Sequence, residues 1–175
     1  IFKVYKDQAI AILRGNPYQL AQDIEGIGFK TADRIAQSLG MAKDSPARIE
    51  AGILYILGKW ADAGHVYVPS EHLVKEAREL LESDETLVGQ ALLNLRTKER
   101  IVILEIPEEH YLAIYLIRLS TAEQNVAKRL TDLAHAQHFP ITIDPERALL
   151  WIEQVNRLRL ALLQRQAIKM ALTEK

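Results

Sequence analysis

Apolar and polar positions follow a helical period along most of this chain and a strand period only once. Ile49, Ile53, Ile56, Leu57 and Trp60 recur at three- and four-residue spacing. This predicts one face of a long helix, opened by Ser45-Pro46 and stopped by Gly64. The same spacing predicts amphipathic helices over 70–82, with Leu73, Ala77, Leu80 and Leu81 inward, and over 85–97, with Val88, Ala91, Leu92 and Leu95 inward. The pattern then changes. RIVILEI is β-branched and apolar, PEE is turn-like and HYLAIYL follows, which predicts a β-hairpin over about 101–116. Helices followed by a hairpin is the order of a winged-helix unit.

Punctuation sets the other elements. A helix over 5–14 stops at Gly15, and Asn16-Pro17 opens the next, because asparagine can cap and proline suits the first helical position. The short helix PYQLAQD runs into a glycine turn, and a further helix over about 30–39 ends at Gly40. Ser120-Thr121-Ala122-Glu123 has the form of a capping box and predicts a helix start. Asp144-Pro145 starts another helix, carrying Leu149, Ile152 and Val155, and LALLQRQAIKMAL forms the last. The expected class is mainly α: a helix–hairpin–helix unit over 1–44, a helical, winged-helix-like unit with its small β-hairpin over 45–140, and a helical connector over 141–175. No low-complexity linker separates them.

The turn itself carries the chemistry. In DIEGIGFKTADRIA, residues 23–36, Gly26 and Gly28 flank Ile27 between two helices. Both glycines are expected to use backbone angles that strain other residues, with Ile24 and Ile27 anchoring the turn and Ala32 and Ile35 facing inward. The second helix would then present unpaired N–H groups and its positive dipole end to an anion. Lys30 and Thr31 lie in its first turn and Arg34 one turn on. Backbone contact to DNA through Gly26, Ile27, Gly28, Lys30, Thr31 and Arg34 is one reading, and it reads no bases. A structural αα-turn with a solvated Lys30 is the other.

Composition narrows the partners. With 22 basic and 23 acidic residues, net charge −1, the chain does not grip DNA by bulk charge, although a local patch can bind phosphate. Absence of cysteine removes disulfides and thiolate-ligated metal, and fits a reducing, cytoplasmic setting. No apolar run is long enough to predict a membrane span. The chain opens at Ile1 without methionine, as expected of a piece of something longer. His135 and His138 make a poor metal site without a third ligand, so no metal is expected. Glu108, Glu109 and His110 read as a solvated hairpin turn. Trp60 and Trp151 have aliphatic helical neighbours and read as core, with base stacking the minor alternative. His65 and Tyr67 read as corner residues, and Arg157, Arg159, Arg165 and Lys169 as a solvated basic face.

NPYQLAQDIEGIGFKTADRIAQSLGM resembles the hallmark segment of RecD-like DNA helicases, the exodeoxyribonuclease V alpha family. The likeness continues through Gly64, His65, Tyr67 and Pro69, through HYLAIYLIRLSTAEQNVAKRL, and through Leu160, Gln164 and Ala167 of the last run. The resemblance implies an accessory region of an ATP- and Mg-dependent helicase moving 5′ to 3′ on single-stranded DNA, acting alone or with other recombination subunits. The family's GxxxxGK[ST] loop is not in this sequence, so this region is expected to hydrolyse no ATP and to need no cofactor of its own. By resemblance Gln164 would touch adenine once a motor is attached. Leu162 and Leu163 stand where the family often has polar residues, and they could pack on that motor instead. Two other functions fit a chain of this kind: a helix–hairpin–helix repair enzyme, for which Asp44 lacks the expected preceding loop, and a scaffold docking partners through Leu73, Leu80 and Leu81 or through the winged unit.

Overall fold

The computed structural model describes residues 2–24, 26–107, 111–136 and 144–173. The chain forms two compact units, Ile1–Gln124 and Asn125–Lys175. The first opens with α1 (Phe2–Tyr5), a 3-10 turn over Lys6–Gln8 and α2 (Ala9–Gly15). The side chain of Asn16 accepts from the Tyr18 amide at 3.2 Å, and Pro17 starts a 3-10 turn over Pro17–Gln19 that runs into α3 (Leu20–Asp23). After the glycine turn comes α4 (Phe29–Ser38), and Gly40 follows it at φ +82°, the left-handed stop its position predicted.

The remainder of the first unit is α5 (Pro46–Asp62), β1 (Tyr67–Pro69), α6 (Ser70–Leu81), α7 (Glu85–Thr97), β2 (Ile101–Ile106) and β3 (Tyr111–Leu116). The strands form one antiparallel sheet in the order β1-β3-β2, with Tyr67 opposite Tyr115 and Ile103 opposite Ile114. Helix, strand, two helices and a hairpin, with the early strand beside the last one, is winged-helix topology. The predicted hairpin is present. The third strand was expected as a corner, because three residues are too few to show a period; it exists by pairing with β3. Glu108, Glu109 and His110 lie outside the described residues.

One core serves this unit. Tyr18, Leu20, Phe29 and Ala32 from the helix–hairpin–helix join Ile49, Ile53, Ile56 and Leu57 of α5, Leu73, Ala77 and Leu81 of α6, Val88 and Leu95 of α7, and Ile101 and Ile114 of the sheet. The inward faces read from periodicity are therefore the buried ones. Leu73 and Leu81 are fully enclosed, so they belong to the core, as their spacing predicts, and not to the docking face of the scaffold alternative. Gly52 lets α5 and α6 approach: a Cβ there would lie 2.6 Å from Leu81 Cδ2.

Helix α8 (Ile117–His135) begins three residues before the expected cap. β3 passes directly into it, with the Ile117 amide donating to the Arg100 carbonyl at 3.1 Å, so Ser120 is a buried position inside the helix and not its cap. In the second unit, α9 (Pro145–Asn156) starts as expected, capped by Asp144 on the Glu146 amide at 3.0 Å. Leu149 is fully buried, but Val155 is 59% exposed, and Trp151 is 63% exposed, against the expectation that it packs in the core. A short two-helix packing with α10 (Leu162–Thr173) has room for only part of the apolar face.

Candidate nucleic-acid interface

The turn between α3 and α4 is built by two glycines with different reasons for being there. Gly26 sits at φ +85°, where a side chain is strained. Gly28 is the N-cap of α4 at φ −85° and ψ 171°, an extended conformation open to any residue, so the expected strain is absent there. Among the described residues nothing beyond its chain neighbours comes within 4 Å of a Cβ placed on Gly28. Ile24 and Ile27 are half-buried against the core, and Ala32 and Ile35 pack inward as expected.

The backbone amides divide sharply. Ile27 N–H donates to the Ile24 carbonyl at 3.1 Å, and the Thr31 and Ala32 amides both donate to the Gly28 carbonyl, at 3.0 and 3.1 Å. Those groups are taken up within the chain. The amides of Gly28, Phe29 and Lys30 meet no acceptor among the described residues, and no side chain caps the helix. Phe29 was not among the expected contacts, since its apolar side chain signals core; the chemistry lies in its backbone. Lys30 and Arg34 are exposed and form no ion pair among the described residues, while Thr31 is half-buried.

A dense polar knot holds α4 in place behind this surface. Asp33 accepts from Arg48 Nε at 2.8 Å, Arg48 Nη2 at 3.1 Å, Tyr18 Oη at 2.7 Å and Gln37 Nε2 at 3.1 Å. Arg48 Nη1 also donates to the carbonyls of Leu81 at 2.7 Å and Lys43 at 3.0 Å. Burial alone would raise the Asp33 carboxyl; the Arg48 and Tyr18 bonds, the Arg48 charge and the Gln37 bond together outweigh it and hold it below its ordinary value. Burial first, and the Asp33 bond second, push the Tyr18 phenol well above its usual range, so it keeps its donor proton. Neither Asp33 nor Arg48 was singled out from the sequence: each looks like a solvated helix charge until α4 and α5 are brought together.

Residues 1–67 match the family described as the ATP-dependent RecD2 DNA helicase HHH domain. The N-terminal part of this chain is thus similar to the helix–hairpin–helix domain of RecD2-type helicases. A segment of 54 residues is 41% identical to the ATP-dependent RecD2 DNA helicase of Deinococcus radiodurans, covering 30% of this chain and 8% of that protein. The RecD-like resemblance read from residues 16–41 is thus found independently, and the glycine turn lies inside the matched family segment.

The other expected residues fall elsewhere. Gln164 lies on α10 in the second unit, where its Oε1 accepts from the Ala161 amide at 2.9 Å and closes the first turn of that helix. In the same unit Arg165 pairs with Glu153 at 3.1 Å, and Lys169 pairs with Glu146, so half of the basic cluster is neutralised between α9 and α10. His135 bonds the Thr131 carbonyl of its own helix at 2.8 Å, and His138 lies outside the described residues. Among the described residues no three potential ligands gather into a metal site. No described helix is long and apolar enough to cross a membrane. Trp60 is half-buried against the core, its indole N–H donating to Glu76 at 2.9 Å and its ring tilted against His65 at 4.8 Å. Tyr67 pairs through its hydroxyl with Tyr111 at 2.7 Å inside the sheet, so its corner role is a strand role.

Proposed function

We propose that this chain is a non-catalytic accessory region of an ATP-dependent, 5′-to-3′ RecD-like DNA helicase, and that it holds the DNA backbone at the α3–α4 turn. The observation that carries the reading is the row of three amides at Gly28, Phe29 and Lys30 that meet no acceptor among the described residues, at the positive end of a ten-residue helix. Gly28 has no side chain to obstruct a phosphate there, Lys30 and Thr31 lie in the first turn of α4, and Arg34 lies one turn on. Gly26 and Ile27 act one step back, by shaping the bend. Contact of this kind is indifferent to sequence and sensitive to salt. ATP and Mg belong to the motor of the whole protein, where Gln164 would meet the adenine after giving up its bond to Ala161.

The motor is also the proposed partner of the second unit, alongside any recombination subunits. Leu162 and Leu163 are 73% and 76% exposed at the start of α10, more apolar surface than a free helix end ordinarily carries.

Titration of a labelled oligonucleotide at low and moderate salt tests the DNA reading. Lys30→Ala should weaken binding severalfold and flatten the salt dependence by about one phosphate contact. Gly28→Glu should weaken it further, because a carboxylate would occupy the anion position. If the chain binds no DNA at low salt, or both variants bind like the parent, the reading is wrong.

A further inference from the structure

Beside the turn, the first unit holds a groove of about 480 Å³. Two of its lining residues are glycines that the fold does not require. Gly28 has ordinary extended angles and open space over its Cα. Gly58 lies in the interior of α5, where glycine is destabilising relative to alanine, and a Cβ there would also meet nothing within 4 Å. The contrast with Gly52 in the same helix is direct, since Gly52 is explained by Leu81 and Gly58 by nothing among the described residues. Two bare positions thirty residues apart in sequence therefore border the same hollow.

The rest of the lining gives the hollow a chemical character. Tyr18, Phe29 and Tyr55 form a row of stacked rings, with centroids 5.9 and 5.4 Å apart, and Tyr55 is the one left half-exposed. Arg100 and Arg118, both exposed, line the groove from the start of β2 and the start of α8. An aromatic and aliphatic wall with cationic side chains suits one kind of occupant: a flat ring carried on an anionic backbone. The Gly28 amide, which meets no acceptor among the described residues, borders the same space.

We infer that this groove receives one unstacked base of a single DNA strand, whose adjoining phosphate lies on the amides of Gly28, Phe29 and Lys30. The inference rests on the backbone-contact reading above and adds to it a reason for preferring single strands, because a paired base is not available to enter. Stacking on a half-exposed tyrosine is indifferent to which base it is, so no sequence preference accompanies it.

The test compares two labelled 12-mers on the full chain: oligothymidylate, and an abasic oligomer with the same phosphates and no bases. The parent should bind the base-bearing oligomer about tenfold more tightly. Gly58→Leu, which fills the groove while improving helix propensity, should bring that ratio close to one, and Tyr55→Ala should lower it. Equal binding of the two oligomers by the parent would overturn the base groove and leave the phosphate contact standing. A tenfold ratio unmoved by either substitution would also overturn it, since the bases would then be held elsewhere. Binding of neither oligomer would remove the phosphate contact and the groove with it.

Discussion

Arg48 and Asp33 meet through two parallel hydrogen bonds, Nε to Oδ1 at 2.8 Å and Nη2 to Oδ2 at 3.1 Å, across the joint between α5 and α4. Their side chains are 6% and 14% exposed. Removing one partner leaves the other charge enclosed, which costs about 3–5 kcal/mol. Arg48→Ala should lose stability in that range by urea denaturation. Arg48→Lys should recover little of it, because an ammonium cannot make the fork and reach the Leu81 carbonyl as well.

The same pair predicts an acid limb. The Asp33 carboxyl titrates below its unfolded value of 3.8, so its contribution is complete above that value and is lost as pH falls through the lowered folded one. Stability followed by urea denaturation from about pH 5 down to about pH 2 should fall more steeply in the parent than in Asp33→Asn, which starts lower and has no such proton to take up.

Two glycines of α5 should respond to alanine with opposite signs. Gly58→Ala gains helix propensity in open space and should stabilise by about 0.5–1 kcal/mol. Gly52→Ala gains the same propensity but forces the fully buried Leu81 to shift, an overpacking cost of about 1–3 kcal/mol, so the net effect should be destabilising. Denaturation midpoints of the two variants measured side by side decide the matter.

The glycines of the turn should separate in the same way. Gly26→Ala places a side chain at φ +85° and should cost about 1–2 kcal/mol. Gly28→Ala should cost nothing in stability, its conformation being extended and its surroundings open. A comparable loss of stability at both positions would mean that Gly28 is structural after all.

Fluorescence offers a further check on the second unit. Trp151 is 63% exposed while the Trp60 indole is held by Glu76, so acrylamide should quench two populations. Trp151→Phe should remove the accessible one.

Much of the first unit was legible because its helices are amphipathic and bounded by caps: Asn16-Pro17, Gly40 and the apolar faces of α5, α6 and α7 all stand where their spacing placed them. The helix–hairpin–helix turn was legible too, since glycine spacing is local. What escaped has one physical reason. β1 exists only by pairing with β3, the partnership of Arg48 and Asp33 only by the docking of two helices, and the groove brings Arg100 and Arg118 beside Gly28 across more than seventy residues. Ser120 misled in the opposite way, because a local cap signal lost to a strand that runs straight into its helix.

Arg48 belongs to α5, yet it supplies the counter-ion for the hairpin that precedes it and braces the end of α6 through the Leu81 carbonyl. The turn is therefore not a portable cassette. A graft that moved residues 1–44 to another host would strand the Asp33 carboxylate beside an uncovered Tyr18 and Phe29, and inheritance or engineering has to carry the hairpin together with the helix that follows it.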